Sequence, residues 1–274
     1  QSGYRGAGVN NYARQLLAAL GEAVQDGRTK HRFTAFVHTP NLLIPGVDLV
    51  VSGPLLERPA ARIAWEQTVL PPALARHGAD AVHGLVNVLP LGTRIPGIVT
   101  VHDLSFVRTP QHLPPLKRLY LTQLCAASVR RARYVIAVSR QTAADVMRYF
   151  DAPAAKVQVV YNGVSPAFTP GDAESSARFR RAKGLGDRYF LYLGTLEPRK
   201  NLELLVRAFA RWRQEGGPAA RGVKLVLAGG KGWYYDTIFA QVTALGLTNA
   251  VIFPGFIPPA DLPDWYRAAE LFVY

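Results

Sequence analysis

Hydrophobic positions in the first half of the chain follow two periods that alternate along the sequence. Short apolar runs are typical of buried β-strands, whereas apolar residues that recur every three to four positions indicate amphipathic helices. The runs predict strands at residues 33–38, 48–51, 81–83, 98–102, 134–138 and 157–160. Helical stripes lie at Ala13, Leu16, Leu17 and Leu20 and at Leu116, Leu119, Tyr120, Leu124 and Ala127.

A second alternation begins after residues 161–171, a segment whose glycine, proline and serine content is typical of turns. Strands are predicted at 189–193, 223–228, 251–253 and 271–274, and helices at 201–213, 235–246 and 260–269. Alternating strands and helices favour an α/β fold with parallel sheets. We therefore predict two Rossmann-like domains, residues 1–163 and residues 164–274.

The formal net charge of +13 is shared unevenly between these predicted domains. Residues 1–163 hold 18 Lys or Arg against 9 Asp or Glu, and residues 164–274 hold 14 against 10, which gives +9 and +4. A basic first half indicates an anionic partner, such as a membrane surface, a phosphorylated acceptor or nucleic acid. The chain has neither zinc-ligand spacing nor an aromatic RNA-binding strand pattern, so we expect no nucleic-acid partner.

Cysteine use and hydropathy bear on the cellular compartment. The single cysteine, Cys125, excludes an internal disulfide and fits a reducing cytosol. It occupies an apolar position of a predicted helix, so we expect a buried, unreactive thiol. No apolar run approaches the roughly 18–20 residues of a transmembrane helix, and no secretory signal is visible. We expect a cytoplasmic protein in peripheral contact with the inner face of the membrane.

The junction between the strand at 189–193 and the next helix carries two cations. The helix is predicted from an apolar stripe at Leu202, Leu205, Val206 and Phe209. Asn201 is placed to cap this helix, and Gly194 ends the strand. A helix N-terminus offers unpaired N–H groups and a positive dipole end, to which Arg199 and Lys200 add two charges. We interpret the segment as a diphosphate-binding corner; a pair of solvated surface cations is the alternative.

The apolar strand at 98–102 ends in a polar pair, His102 and Asp103. In open α/β sheets, ligands bind beyond the carboxyl ends of the strands, so this pair is a candidate for chemistry. A hydrogen-bonded structural histidine is the alternative. His83 ends an earlier strand and is a second candidate.

Glycines mark three other candidate ligand contacts, because a glycine lets the backbone approach a ligand closely. Gly8 lies before the first helix, which we expect to begin near residues 10–11; a plain tight turn is the alternative. Gly229 and Gly255 follow strands of the second half. The loop after Gly229 also contains a cation and an aromatic ring, Lys231 and Trp233. A solvated lysine and a core-capping tryptophan are the alternatives there.

The segment Gly194-Thr-Leu-Glu-Pro-Arg-Lys-Asn201 resembles the donor-phosphate motif of retaining glycosyltransferases of family 4. The resemblance extends along most of the chain and implies the GT-B fold, in which two Rossmann-like domains face each other across a cleft. It implies an enzyme that moves a hexose from a nucleotide sugar to a glycan or lipid-linked acceptor with retention of configuration. The run from Gly229 to Trp233 is similar to the subgroup that uses GDP-mannose, so mannose is the expected sugar.

The resemblance also implies roles for the candidate residues. His102 and Asp103 would be the catalytic pair. His102 would orient the hexose and donate a proton to the leaving oxygen, and Asp103 would fix the imidazole or bind the acceptor. The diphosphate would be bound by Arg199, Lys200, Gly8 and Gly194. The nucleotide and sugar region would comprise Gly229, Lys231, Trp233 and Gly255, with His83 on the acceptor side. Many members carry arginine where this chain has Thr195, so the phosphate role rests more on Lys200 than on Arg199.

Fixed cations beside the diphosphate can stabilise the negative charge that develops on the departing phosphate. Mg²⁺ performs this task in other transferases, and the sequence has no acidic cluster with metal-ligand spacing. We therefore expect neither a metal nor another cofactor, because the nucleotide sugar is a substrate.

Both ends of the chain depart from the family pattern. No strand precedes the first helix, and the acidic motif that follows the last strand in the family is absent. We expect an incomplete C-terminal domain and do not expect full activity from this chain. Two other functions stay open, a nucleotide-sugar epimerase of the UDP-N-acetylglucosamine 2-epimerase kind and a non-catalytic module that binds a nucleotide sugar or a membrane surface.

Two basic clusters flank the helix predicted around residues 116–127. They comprise Lys117 and Arg118 at one end and Arg130, Arg131 and Arg133 at the other. A solvated helix face is one interpretation. Adhesion to anionic lipid, where a lipid-linked acceptor resides, is the other.

Overall fold

A computed structural model of the chain describes residues 7–37, 43–53, 59–108, 115–232 and 235–274. Within these ranges the side chains of residues 7, 59, 60 and 199 are not described. The chain divides into two compact units, residues 1–162 and residues 163–274, which we call unit 1 and unit 2 and describe separately.

The strands of unit 1 lie within a residue or two of those expected from the apolar runs. They are β1 (Phe33–Val37), β2 (Val47–Val51), β3 (Val82–Gly84), β4 (Gly97–Val101), β5 (Tyr134–Ala137) and β6 (Val157–Val159). All pair in parallel, in a four-stranded sheet of order β3-β4-β5-β6 and a separate pair β1-β2. The first half is therefore α/β with parallel sheets, as the alternation of periods predicted.

The helices of unit 1 include both predicted stripes. They are α1 (Ala7–Gln25), α2 (Pro59–Thr68), α3 (Leu70–Arg76), α4 (Ser105–Arg108), α5 (Pro115–Arg131) and α6 (Arg140–Phe150). The expected start of α1 near residues 10–11 is wrong, because the helix already includes Gly8. Val9 is half-buried and extends the apolar stripe one turn towards the N-terminus, so the asparagines that follow lie inside the helix.

The core of unit 1 lies between the four-stranded sheet and α5 with α6. Val99, Val101 and Val135 are fully buried, and Val129 of α5 and Val146 of α6 pack against the same cluster. Cys125 belongs to this cluster, so the prediction of a buried thiol is confirmed. Burial raises the pKa of that thiol to about 12, which keeps it protonated and unreactive near neutral pH.

Unit 2 repeats the architecture with one sheet. Its strands are β7 (Arg188–Leu193), β8 (Val223–Ala228), β9 (Val251–Ile252) and β10 (Leu271–Phe272), all parallel, in the order β10-β7-β8-β9. Its helices are α7 (Ala173–Ala182), α8 (Leu202–Glu215), α9 (Gly217–Arg221), α10 (Asp236–Ala244) and α11 (Leu262–Ala268). None of the helices in the described ranges is long and apolar enough to span a bilayer.

Strand β8 is apolar on both faces because each face is covered. Leu225 and Leu227 belong to one buried cluster, whereas Val226 and Ala228 belong to another on the opposite side. The predicted stripe of α8 packs into the first of these clusters, with Leu205 at its margin. Because the four strands are parallel, the loops that follow β7, β8 and β9 leave the sheet at the same edge.

Candidate functional site

The loops at the carboxyl edge of unit 2 are joined through their backbones. The N–H of Gly194, after β7, donates to the carbonyl of Ala228 at 2.9 Å, and the N–H of Gly229, after β8, donates to the carbonyl of Gly255 at 2.8 Å. Farther out, Leu196 accepts from the N–H of Gly232 at 2.9 Å. Three of the glycines expected from sequence therefore form one backbone layer at the end of the sheet.

Gly229 has a structural reason to be glycine. Its φ is 138°, and a Cβ at this position would lie 1.9 Å from the carbonyl oxygen of Gly194. Gly255 also has a positive φ, of 77°. Close approach of two loops, independently of any ligand, therefore accounts for Gly229.

The corner between β7 and α8 contains a short 3₁₀ turn, Pro198–Lys200, which the sequence did not indicate. Asn201 occupies the N-cap position of α8, as expected, but its φ of 51° is left-handed and its side chain makes no capping hydrogen bond. The turn reverses the chain at Asn201, a conformation that asparagine tolerates better than most residues. The side chain of Asn201 thus does not cap α8, and its backbone carbonyl accepts from the N–H groups of Leu204, at 3.1 Å, and Leu205, at 3.4 Å.

Lys200 is held at this corner by an aromatic ring. Its Nζ donates to the hydroxyl of Tyr274 and lies 4.3 Å from the centroid of that ring, which stacks in parallel with Tyr192. The side chain of Arg199 and the whole of Trp233 lie outside the described residues. Nζ of Lys231 lies 4.9 Å from the centroid of the Tyr235 ring, which is a cation–π contact. The predicted role of Lys231 at the nucleotide stays a prediction.

Glu197 precedes this turn and was missed by the sequence reasoning. It is only 5% exposed, although glutamate is among the residues least often buried. Its carbonyl accepts from the N–H of Lys200 at 3.0 Å. The sequence did hold a signal for this residue, because its carboxylate directly precedes the Pro-Arg-Lys run.

In unit 1, His102 directly follows β4 and is held from several sides. Its N–H donates to Oδ1 of Asn87 at 3.0 Å, and its carbonyl accepts from Oγ1 of Thr142 at 3.2 Å. Nε2 of the ring lies 2.8 Å from the carbonyl oxygen of Leu85. A carbonyl oxygen can only accept, so Nε2 carries a proton and Nδ1 is the ring atom left for a further partner.

Tyr12 of α1 connects this histidine to His83. The Tyr12 ring packs edge-on against His102, with centroids 4.8 Å apart, and its hydroxyl lies 3.1 Å from Oγ1 of Thr100. Nε2 of His83 lies 2.8 Å from the same Oγ1, and burial lowers the pKa of His83. The structure therefore brings the two predicted histidines together through Tyr12 and Thr100, which sequence reasoning missed. A threonine inside an apolar strand was the available signal.

The carboxylate of Asp103 has a partner other than the imidazole in this structure, and its two predicted roles stay predictions. Oδ1 of Asp103 accepts from the N–H of Ser105 at 2.9 Å and orders the start of α4, while its side chain is exposed. Leu85 and Asn87 hold His102 instead, because the loop after β3 folds back over the end of β4. Gly8 lies in the first turn of α1, where a Cβ would meet nothing within 4 Å.

In the described part of the chain, no three His, Cys, Asp or Glu side chains lie close enough to hold a metal ion. Metal independence stays a prediction that chelation can test.

Two family models match successive parts of the chain. The model of Glycosyltransferase Family 4 matches residues 6–168, and that of Glycosyl transferases group 1 matches residues 174–274. The first alone covers more than half of the chain.

Individual relatives match at modest identity. The chain is 28% identical over 178 residues to O-antigen chain mannosyltransferase B of Escherichia coli, covering 65% of this chain and 46% of that protein. It is 30% identical over 299 residues to D-inositol 3-phosphate glycosyltransferase of Salinispora arenicola, covering 96% of this chain and 65% of the relative. The chain thus spans about half to two thirds of the length of these relatives.

A solved structure supports the same architecture. Anabaena HepE in complex with UDP-glucose superposes with a TM-score of 0.71 at 20% identity, over 99% of this chain and 71% of HepE. Together with the two matched models, this likeness confirms the resemblance seen in the motifs: the chain belongs to glycosyltransferase family 4, and its α/β architecture is that of the GT-B fold.

Proposed function

We propose that this glycosyltransferase transfers mannose from GDP-mannose to a glycan or lipid-linked acceptor, with retention of configuration. Membership of the family supports sugar transfer as the general class of reaction. What we propose beyond the family is the donor, the stereochemistry and the acceptor. The activity of the whole protein is also part of the proposal, because this chain spans only part of the length of its relatives.

The corner at residues 194–201 is the observation that carries the proposal. It combines a helix start at which the side chain of Asn201 makes no cap, a backbone layer built on Gly194 and Gly229, and the ammonium group of Lys200. These are the features that bind a diphosphate, because N–H groups and fixed cations stabilise the charge of a departing nucleoside diphosphate. We assign Lys200 and Arg199 to the diphosphate and Gly229, Lys231 and Gly255 to the nucleotide region.

His102 would orient the donor sugar by accepting a hydrogen bond. Its Nε2 proton is directed to the carbonyl of Leu85, so Nδ1 is the ring atom that can meet a sugar hydroxyl. The predicted donation to the leaving oxygen would in turn require a proton on Nδ1. Asp103, which is exposed, is assigned to the acceptor side together with His83.

Support for mannose comes from the relatives and from the loop after β8. The E. coli relative is named a mannosyltransferase, and Gly229 to Trp233 is similar to the GDP-mannose subgroup. The other relative is named a D-inositol 3-phosphate glycosyltransferase, and HepE was crystallised with UDP-glucose. A direct comparison of donors is therefore the deciding experiment.

Donor choice is measured by titrating the chain with GDP-mannose, UDP-glucose and UDP-N-acetylglucosamine in a calorimeter. Release of nucleoside diphosphate is then followed with and without a mannan oligosaccharide. Acceptor-dependent release of GDP supports mannosyl transfer, whereas conversion of the sugar without release supports an epimerase. Binding without either reaction, in the whole protein as well as in this chain, supports a non-catalytic module. Chelation with EDTA is expected to leave GDP-mannose binding unchanged.

Replacing Lys200 is the sharpest test of the corner. Lys200→Ala is expected to weaken GDP-mannose binding about tenfold, because one charge-assisted hydrogen bond contributes on the order of 1.5 kcal/mol. Lys183→Ala is the matched control, since Lys183 is an exposed lysine at the end of α7. Equal affinities in the two variants would remove the diphosphate assignment.

A further inference from the structure

The helices α5 and α6 of unit 1 carry cations almost without acids. Residues 115–150 contain one acidic side chain, Asp145, against a set of cations comprising Lys117, Arg118, Arg130, Arg131, Arg133, Arg140 and Arg148. Asp145 is 7% exposed, lies 3.4 Å from Arg108 and accepts from Gln141 at 2.9 Å. Its charge is therefore compensated inside the unit. The surface of this helix pair is left strongly cationic.

The two helices form one layer on the same side of the sheet. Each connects neighbouring parallel strands, β4 to β5 and β5 to β6, and such crossovers share one hand, which places both helices on one face. They pack against each other, and their inner sides supply Val129 and Val146 to the core. Their outer sides therefore form a continuous surface of unit 1.

The outer side of α5 exposes leucines beside the cations. Leu116 is 81% exposed and Leu119 is 56% exposed, and both lie at helical spacing from Gln123 and Arg130 on the solvent side. Lys117 and Arg118 lie between these leucines and are exposed as well. Among the described residues of unit 1, none packs over these two neighbouring leucines of the cationic turn.

The structure also revises the basic clusters expected from sequence. Arg131 is directed inward, where its guanidinium donates to the carbonyls of Ile95, at 2.8 Å, and of Thr93. Arg130 and Arg133 are exposed at the far end of α5. Apolar and cationic side chains therefore coincide at the start of α5 and not at its end.

We propose that the start of α5, at residues 116–119, docks this protein on an anionic lipid bilayer, with α6 adding long-range attraction. The leucines would enter the acyl boundary while Lys117 and Arg118 meet lipid phosphates. Nucleic acid would satisfy the cations but offers no apolar interior for two leucines. The proposal goes beyond sugar transfer and does not depend on the donor.

Vesicle flotation tests the proposal with the full chain and no substrate. The protein is mixed with vesicles of phosphatidylcholine alone or with vesicles containing about one third phosphatidylglycerol. We expect partitioning onto the anionic vesicles to be at least about tenfold stronger and to weaken as salt rises. Leu116→Ser/Leu119→Ser and Lys117→Gln/Arg118→Gln should each reduce this partitioning about tenfold.

Matched controls come from α8 of unit 2. Leu204 is 51% exposed, and Arg207 and Arg211 are exposed on the same helix. The control variants are therefore Leu204→Ser and Arg207→Gln/Arg211→Gln. Both should bind the anionic vesicles like the unmodified protein. Circular dichroism checks that every variant is folded.

Equal partitioning onto both kinds of vesicle, or unchanged partitioning of both α5 variants, would overturn the proposal. A duplex oligonucleotide provides the remaining arm. Duplex binding that is lost in the charge variant, kept in the leucine variant and not accompanied by vesicle binding would assign the surface to nucleic acid instead. None of these outcomes bears on Lys200 or on GDP-mannose.

Discussion

Thr100 places a hydroxyl in an apolar strand, and its full burial requires partners for that hydroxyl. Tyr12 and His83 supply them, at 3.1 Å and 2.8 Å. The same tyrosine packs on His102, whose own polar groups are bound by Leu85, Asn87 and Thr142. Nδ1 of His102 is thereby presented in a defined orientation at the end of β4.

Burial of His83 predicts a pH dependence of unit 1. Its folded-state pKa lies below the ordinary value of 6.5, so between these two values the unfolded chain binds a proton that the folded chain does not. The stabilising contribution of the neutral ring is complete above pH 6.5 and decreases as the pH falls below it. Native-state hydrogen exchange of the β4 and β5 amides across this range measures the effect.

His83→Gln should flatten this dependence, because glutamine keeps a donor for Thr100 but does not titrate. His31→Gln, at an exposed position of the same unit, is the control and should retain the dependence of the unmodified protein. An identical loss of protection in the two variants would contradict the assignment to His83.

Among the elements, the loops after β7 and β8 depend on each other. Gly229 and Gly194 approach so closely that a single Cβ would overlap a carbonyl oxygen. Leu196 and Lys231 continue the contact as an isolated parallel bridge beyond the ends of the strands. The edge of the sheet that carries Lys200 is thus stabilised by backbone pairing.

Gly229→Ala should destabilise unit 2 by at least about 2 kcal/mol, because alanine meets both a backbone clash and a φ of 138°. Gly222→Ala is the control, since a Cβ there would touch an atom no nearer than 4.0 Å and the φ of Gly222 is −76°. Hydrogen exchange of the β8 amides reports the loss. Equal protection in the two variants would show that the loops can separate without cost.

At the scale of the whole molecule, each unit has its own core. Unit 2 buries both faces of its sheet in two clusters, and unit 1 buries its sheet against α5 and α6. Clusters that close within a unit are the basis of independent folding. The residues assigned to the diphosphate, apart from Gly8, all lie in unit 2.

Residues 163–274 produced alone should therefore fold cooperatively and bind GDP. Calorimetry of this fragment, with its Lys200→Ala form as the control, measures the binding. A fragment that folds and yet fails to bind GDP would place essential contacts outside unit 2. A fragment without protected amides would show that unit 2 depends on the rest of the chain.

Much of the fold could be read from sequence because burial leaves a local periodic trace. Strand β8 was predicted with the same bounds, since a strand covered on both faces is a continuous apolar run. The stripe of α8 was predicted correctly because its period of 3.6 residues is set by one buried face. The start of α1 was missed because the asparagines at 10 and 11 are typical helix caps, although the apolar stripe continues to Val9.

The sequence by itself determined the α/β class, the family, and the strand ends at which candidate side chains lie. Tertiary structure alone decided their partners: Tyr12 meets Thr100 across 88 positions, Leu85 rather than Asp103 holds His102, and Arg131 is directed inward. Periodicity records whether a residue is buried, but it does not record what lies beside it. Hydrogen-bond partners far apart in the chain are fixed only when the elements have packed.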